Sequence, residues 1–69
     1  MAVERIEVAR RLIDASVALI KSQEDYVLAL NRAGMYLPAM LAFELLLIMR
    51  ATLAFREARL RSMLGTEAR

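Results

Sequence analysis

The segment NRAGMYLPAM, residues 31–40, punctuates the middle of the chain, and it restricts the fold more than any other feature. Gly34 suits the left-handed position that follows a helix C-terminus. Pro38, the only proline, suits the first turn of the next helix, where its missing N–H leaves no intrahelical bond unmade. Helix formers dominate on both sides. The pattern predicts a first helix over residues 3–32, a connection over 33–37 and a second helix over 38–64 closed by Gly65. At about 1.5 Å per residue these would run roughly 45 and 40 Å, a good match for an antiparallel all-α hairpin. The whole of 1–69 reads as a single helical-hairpin domain.

The first half carries a heptad. Ile6, Ile13, Ile20 and Val27 recur every seventh residue, Ala9, Ser16, Gln23 and Leu30 fill the alternate slots, and Leu12, Leu19 and Tyr26 widen the seam. Ser16 and Gln23 read as polar tolerances or register devices. The opposite face holds Glu4, Glu7, Arg11, Asp14, Lys21 and Asp25, with Glu7/Arg11, Arg10/Asp14 and Lys21/Asp25 spaced i,i+4; each such pair contributes about 0.2–0.5 kcal/mol on a solvated helix. Ser22-Gln-Glu-Asp25 resembles a capping box and would break the helix into a three-helix alternative. The heptad phase runs through it unbroken, which favours one helix.

The second half is different. MLAFELLLIMRATLAF, residues 40–55, is apolar on nearly every side except for Glu44, Arg50 and Thr52. From Arg50 onward an apolar stripe of Leu53, Leu60 and Leu64 alternates with Arg56, Arg59 and Arg61. A helix that is apolar all round is surrounded by protein or by lipid, and a partner helix covers only one stripe of it. The chain has 29 apolar residues larger than alanine, and 59% of it is hydrophobic, against about 45–50% in ordinary domains. With no cysteine and no histidine, the disulfide and metal staples of small domains are missing, and association remains. The hairpin is therefore expected to complete a helical bundle by association, foremost as a four-helix homodimer.

On this reading Leu41, Leu45, Met49, Leu53 and Leu60 of the second helix face Ile6, Ile13, Ile20 and Val27 as the hairpin core. Phe43, Glu44, Leu47, Arg50, Ala51, Ala54 and Ala58 form the interface with a second copy. Glu44 and Arg50 lie about 120° apart on one helix and cannot pair well in cis, yet they flank Leu47 symmetrically. In an antiparallel dimer Glu44 would approach Arg50 of the other chain, which would penalise wrong registers more than it adds stability. Two other readings stay open: both charges reach solvent at the seam's edge, or Glu44 meets Tyr26 or Gln23 near the end of the first helix.

Two alternative functions use the same features. One is a natural or computationally designed binder that presents the second helix to another protein; the lack of Cys, His and Trp suits a designed, de novo sequence, while nine arginines to one lysine do not. The other is a single-span membrane-associated protein, since residues 37–55 reach transmembrane hydropathy. Glu44 and Arg50 oppose it, because a charge near a span's centre costs about 2.5–3.5 kcal/mol and each Leu, Ile or Phe returns only about 0.3–0.6.

Catalysis is not expected. Ser16, Ser22 and Ser62 have no histidine base, no glycine-rich phosphate loop exists, and no cofactor or metal ligand set stands out. Nucleic acid is not the expected partner either, since net charge is only +2 and no aromatics interleave the arginines of the second half. The beginning MAVERIEVARR is charged and does not read as a secretory signal, and with no cysteine the redox compartment is unreadable.

Overall fold

The computed structural model describes residues 2–67, and side chains from 3 to 66. Two helices, α1 (Ala2–Arg32) and α2 (Tyr36–Glu67), pack against each other along their length as an antiparallel hairpin measuring 53 × 15 × 13 Å. No strand occurs among the described residues. α1 passes through Ser22 without a break, so the heptad prevails over the capping-box signal there.

The turn closes as its residue types require. Gly34 adopts φ 76°, its N–H donates to the Asn31 carbonyl at 3.0 Å, and the Met35 N–H reaches back to the Leu30 carbonyl at 2.9 Å. This is a Schellman closure, which satisfies carbonyls that the helix end leaves without partners. Met35 then starts α2 by accepting the Ala39 N–H at 3.0 Å. α2 starts at Tyr36, two residues earlier than expected, which keeps Pro38 inside the first turn where no N–H is required. At the other end α2 does not close at Gly65 but continues to Glu67.

The seam lies between two rows with heptad spacing. From α1 it takes Ile6, Ala9, Ile13, Ser16, Ile20, Gln23, Val27 and Leu30, all buried or half-buried, as the heptad predicts. From α2 it takes Ala39, Ala42, Leu46, Met49, Leu53, Arg56, Leu60 and Met63. Met49, Leu53 and Leu60 are where the sequence places them. Leu41 and Leu45 are not: they are 60% and 50% exposed, whereas Leu46 is 3% exposed. The predicted stripe followed i,i+4 steps, and each such step winds about 40° round the helix, so Leu45 and Leu41 drift progressively off the seam. Alternating steps of three and four stay on it. They place Ala39 and Ala42 against Leu30 and Val27, and small side chains there let the helices approach closely just after the turn.

The two glycines make a controlled comparison, because a Cβ at either would meet nothing within 4 Å. Gly34→Ala forces a left-handed alanine and should destabilise by about 1–2 kcal/mol. Gly65→Ala replaces a helical glycine and should stabilise by up to about 1 kcal/mol. Thermal denaturation of both variants at one protein concentration checks the opposite signs.

Candidate interaction surface

Three polar ties join the helices, and they fix the hairpin's register and rotation. The Gln23 side-chain amide donates to the Ala42 carbonyl at 2.8 Å. The Ser16 hydroxyl donates to Leu12 O at 2.8 Å within α1 and accepts from Arg56 Nη1 at 2.5 Å across the seam. Arg50 Nη2 meets Glu24 Oε2 at 2.9 Å. Among the described residues no buried side-chain polar atom lacks a partner. The polar seam residues of α1 are thus ties between helices, and Gln23 engages α2 backbone rather than Glu44.

Arg50 therefore has a partner within its own hairpin. The sequence left Arg50 open between a pair with Glu44 of a second copy and solvent at the seam's edge; in the hairpin its partner is Glu24, 26 positions earlier. That pairing needs both residues on the same edge of the seam, and the heptad supplies this: Glu24 follows Gln23, and Arg50 follows Met49. With side chains 39% and 47% exposed, the pair is worth about 0.2–1 kcal/mol. Lys21 and Asp25 form a second ion pair at 3.0 Å. Asp25's hydrogen bond and charge raise the Lys21 ammonium above its ordinary 10.5, so this pair's contribution is complete below 10.5 and fades as pH rises through the raised value.

The opposite edge of the seam is open. Near the free ends of the helices a groove of about 700 Å³ opens between α1 and α2, lined by Val8, Ala9, Leu12, Thr52, Phe55 and Met63 together with the charged Glu4, Arg5, Arg56 and Arg59. The heptad carries this wall along the hairpin: Leu12 is followed by Leu19 and Tyr26, Phe55 is preceded by Ile48 and Leu41, and Thr52 by Leu45. Every one of these large apolar side chains is exposed. The result is one apolar face two helices wide, with no acidic group between Leu12 and Tyr26 or between Leu41 and Phe55 on its row positions.

The residues assigned by sequence to a dimer interface are also exposed: Phe43, Glu44, Leu47, Arg50, Ala51, Ala54 and Ala58. They do not form one surface with α1. Arg50 lies at the Glu24 edge, while Glu44, Ala51 and Ala58 share the back of α2, seven residues apart. The sequence reading missed Arg56 as a seam residue and Ile48 and Phe55 as an outward row, although their seven-residue spacings from Met49 and from each other are visible in the sequence. Leu12, Leu19 and Tyr26, read from the sequence as widening the seam, are exposed instead. Among the described residues no group of three or more His, Cys, Asp or Glu is placed to hold a metal ion. Comparison with protein-family models, curated proteins and solved structures finds no match to this chain.

Ser16 and Arg56 should behave as a coupled pair. Ser16→Ala removes the acceptor from a half-buried guanidinium and should cost about 1–2 kcal/mol. Adding Arg56→Met removes the stranded donor and should recover most of that loss, so urea midpoints of the single and double variants form a cycle with a clear coupling energy.

Proposed function

We propose that the chain is a non-enzymatic assembly module, a helical hairpin that self-associates through its apolar second helix to complete a four-helix bundle. The observation that carries this reading is the two-helix-wide apolar face of Leu12, Leu19 and Tyr26 with Leu41, Leu45, Ile48 and Phe55. Contiguous apolar patches beyond a few hundred Å² are rare on monomers and mark interaction sites. The geometry favours this face over the back of α2, because it draws on both helices and because Arg50 is already paired with Glu24.

A second reading rests on a separate observation: α2 is long and apolar enough to cross a membrane by length and composition, and only 17% of its most apolar stretch is buried in the hairpin. Insertion of α2 alone would strip Arg50 from Glu24 and leave both the Gln23 and Ser16 ties unmade, a cost added to that of the charges themselves.

Light scattering without detergent separates these readings. A particle of twice 7.8 kDa is expected; a soluble monomer favours a binder of some other protein, and recovery only in detergent favours the membrane. Ile48→Glu should shift the dimer to monomer, since it buries a charge without a partner, while Ala51→Glu on the back of α2 should leave the mass unchanged. The reverse pattern would return the interface to the Ala51 and Ala58 side.

A further inference from the structure

We infer that the turn end of the hairpin is a lipid-docking tip, which inserts end-on into the interface of a neutral bilayer while the rest of the hairpin stays in water. From Tyr26 to Phe43 the chain runs through the end of α1, the turn and the start of α2, and Arg32 is the only charged side chain on the way. At about 1.5 Å per residue this stretch forms a cap roughly 10 Å deep. The cap is apolar on nearly all sides. Tyr26 and Leu41 lie on the groove edge, Leu28 is one helical turn beyond Glu24, Phe43 is seven residues before Arg50, and Leu37 is on the back of α2, seven before Glu44; every one is exposed. Beside the turn, Tyr36 and Leu37 are 70% and 65% exposed. The free ends are built in the opposite way, with Glu4, Arg5, Glu7, Arg10 and Arg11 on α1 and Arg56, Glu57, Arg59 and Arg61 on α2.

A protein partner covers one side of a helix pair, whereas a bilayer covers every side of whatever enters it, and only the second requires a cap that is apolar round its circumference. The depth agrees, since elements lying at a bilayer interface bury their apolar parts by about 5–10 Å. The first charges beyond the cap are Glu24, Asp25 and Glu44, at the level of the headgroups and water, and Arg50 and Lys21 already pair the first two. Arg32 has a stem long enough to carry its guanidinium to the headgroups, and Tyr26 and Tyr36 are the amphipathic rings favoured at that depth. The turn also meets an apolar solvent's demand on the backbone: the N–H groups of Gly34, Met35 and Ala39 are bonded within the hairpin, and Pro38 has none. Charge then selects the surface. Lys21, Arg32 and Arg50 balance Glu24, Asp25 and Glu44 in this half, so insertion is driven by apolar burial and does not call for anionic lipid.

Leu28, Leu37 and Phe43 lie outside the face assigned above to a second copy, so this proposal stands or falls apart from self-association. The full chain should float with phosphatidylcholine vesicles, undiminished in about 1 M salt, where the screening length shrinks to about 3 Å. Leu37→Asp combined with Met40→Glu should weaken that binding by roughly tenfold or more; both acids fall at exposed positions near the N-terminus of α2, where the helix tolerates them. Ala51→Glu, on the same row of α2 as Leu37, should bind as the unmodified chain does. The chain has no native cysteine, so an environment-sensitive dye can be placed at one position: on Met35→Cys its emission should shift to the blue with vesicles, and on Ala51→Cys it should not. A chain left behind when the vesicles float overturns the proposal, as does binding confined to vesicles that contain phosphatidylserine and reversed by salt. Unweakened binding of the double variant overturns the tip as the docking site. A blue shift on Ala51→Cys equal to that on Met35→Cys overturns end-on insertion in favour of a span.

Discussion

Two helices that touch along a line can hide one stripe of each, and everything else in this molecule is arranged around that geometric limit. α1 comes closer to it: apart from Gln23 its seam row is apolar or small, and one side carries Glu7, Arg11, Asp14, Lys21 and Asp25, although Leu12, Leu19 and Tyr26 stay exposed. α2 does not, because from Tyr36 to Met49 large apolar side chains occupy every side except Glu44. The seam takes up Ala39, Ala42 and Leu46, and the larger neighbours remain outside. Choosing small residues at the turn draws the two backbones together, and the same rotation of α2 exports Leu41, Leu45 and Ile48 to the surface. Hairpin packing and the apolar outer face are therefore one choice seen from two sides.

Polar groups decide which of the available rotations wins. For a helix as uniformly apolar as α2, burial alone discriminates weakly, since turning it by one residue exchanges one leucine for another. Gln23 on the Ala42 carbonyl, Arg56 on Ser16 and Arg50 on Glu24 are satisfied together in only one phase. Any other rotation would strand the amide or the guanidinium in a partly dry seam, at about 1–3 kcal/mol each. Their individual stabilisation is modest. Their effect is to make the alternatives worse, which is the better-attested role of polar groups in helical seams.

This explains how far the molecule was legible in its residues. The hairpin, the turn and the α1 seam were readable, because Gly34 and Pro38 have specific backbone requirements and α1 has strong contrast between faces. The phase of α2 was not, since a helix without contrast has no hydrophobic periodicity to read, and an i,i+4 row of leucines is as plausible by composition as the heptad row beside it. Arg50's partner was unreadable for the same reason: Glu24 is its neighbour only once the phase of α2 is set. The readable clue was Arg56, since an arginine seven residues from both Met49 and Met63 on a seam row demands an acceptor, and Ser16 is the polar seam residue at its level.

The same contrast bears on what covers the outer face. Had α2 evolved or been chosen for lipid on all sides, its charges would be expected at its ends, yet Glu44 and Arg50 lie within its most apolar stretch. In the hairpin Arg50 is tied to α1, and Glu44 lies on the back of α2, away from both the seam and the groove edge. Both charges thus avoid the apolar face, which continues uninterrupted from the groove past Ile48 to Leu41. A lipid solvent makes no such distinction between the sides of a single span, whereas a protein partner that docks on one side requires it. The two charges that interrupt α2 are, by this argument, what confines its partner to one face.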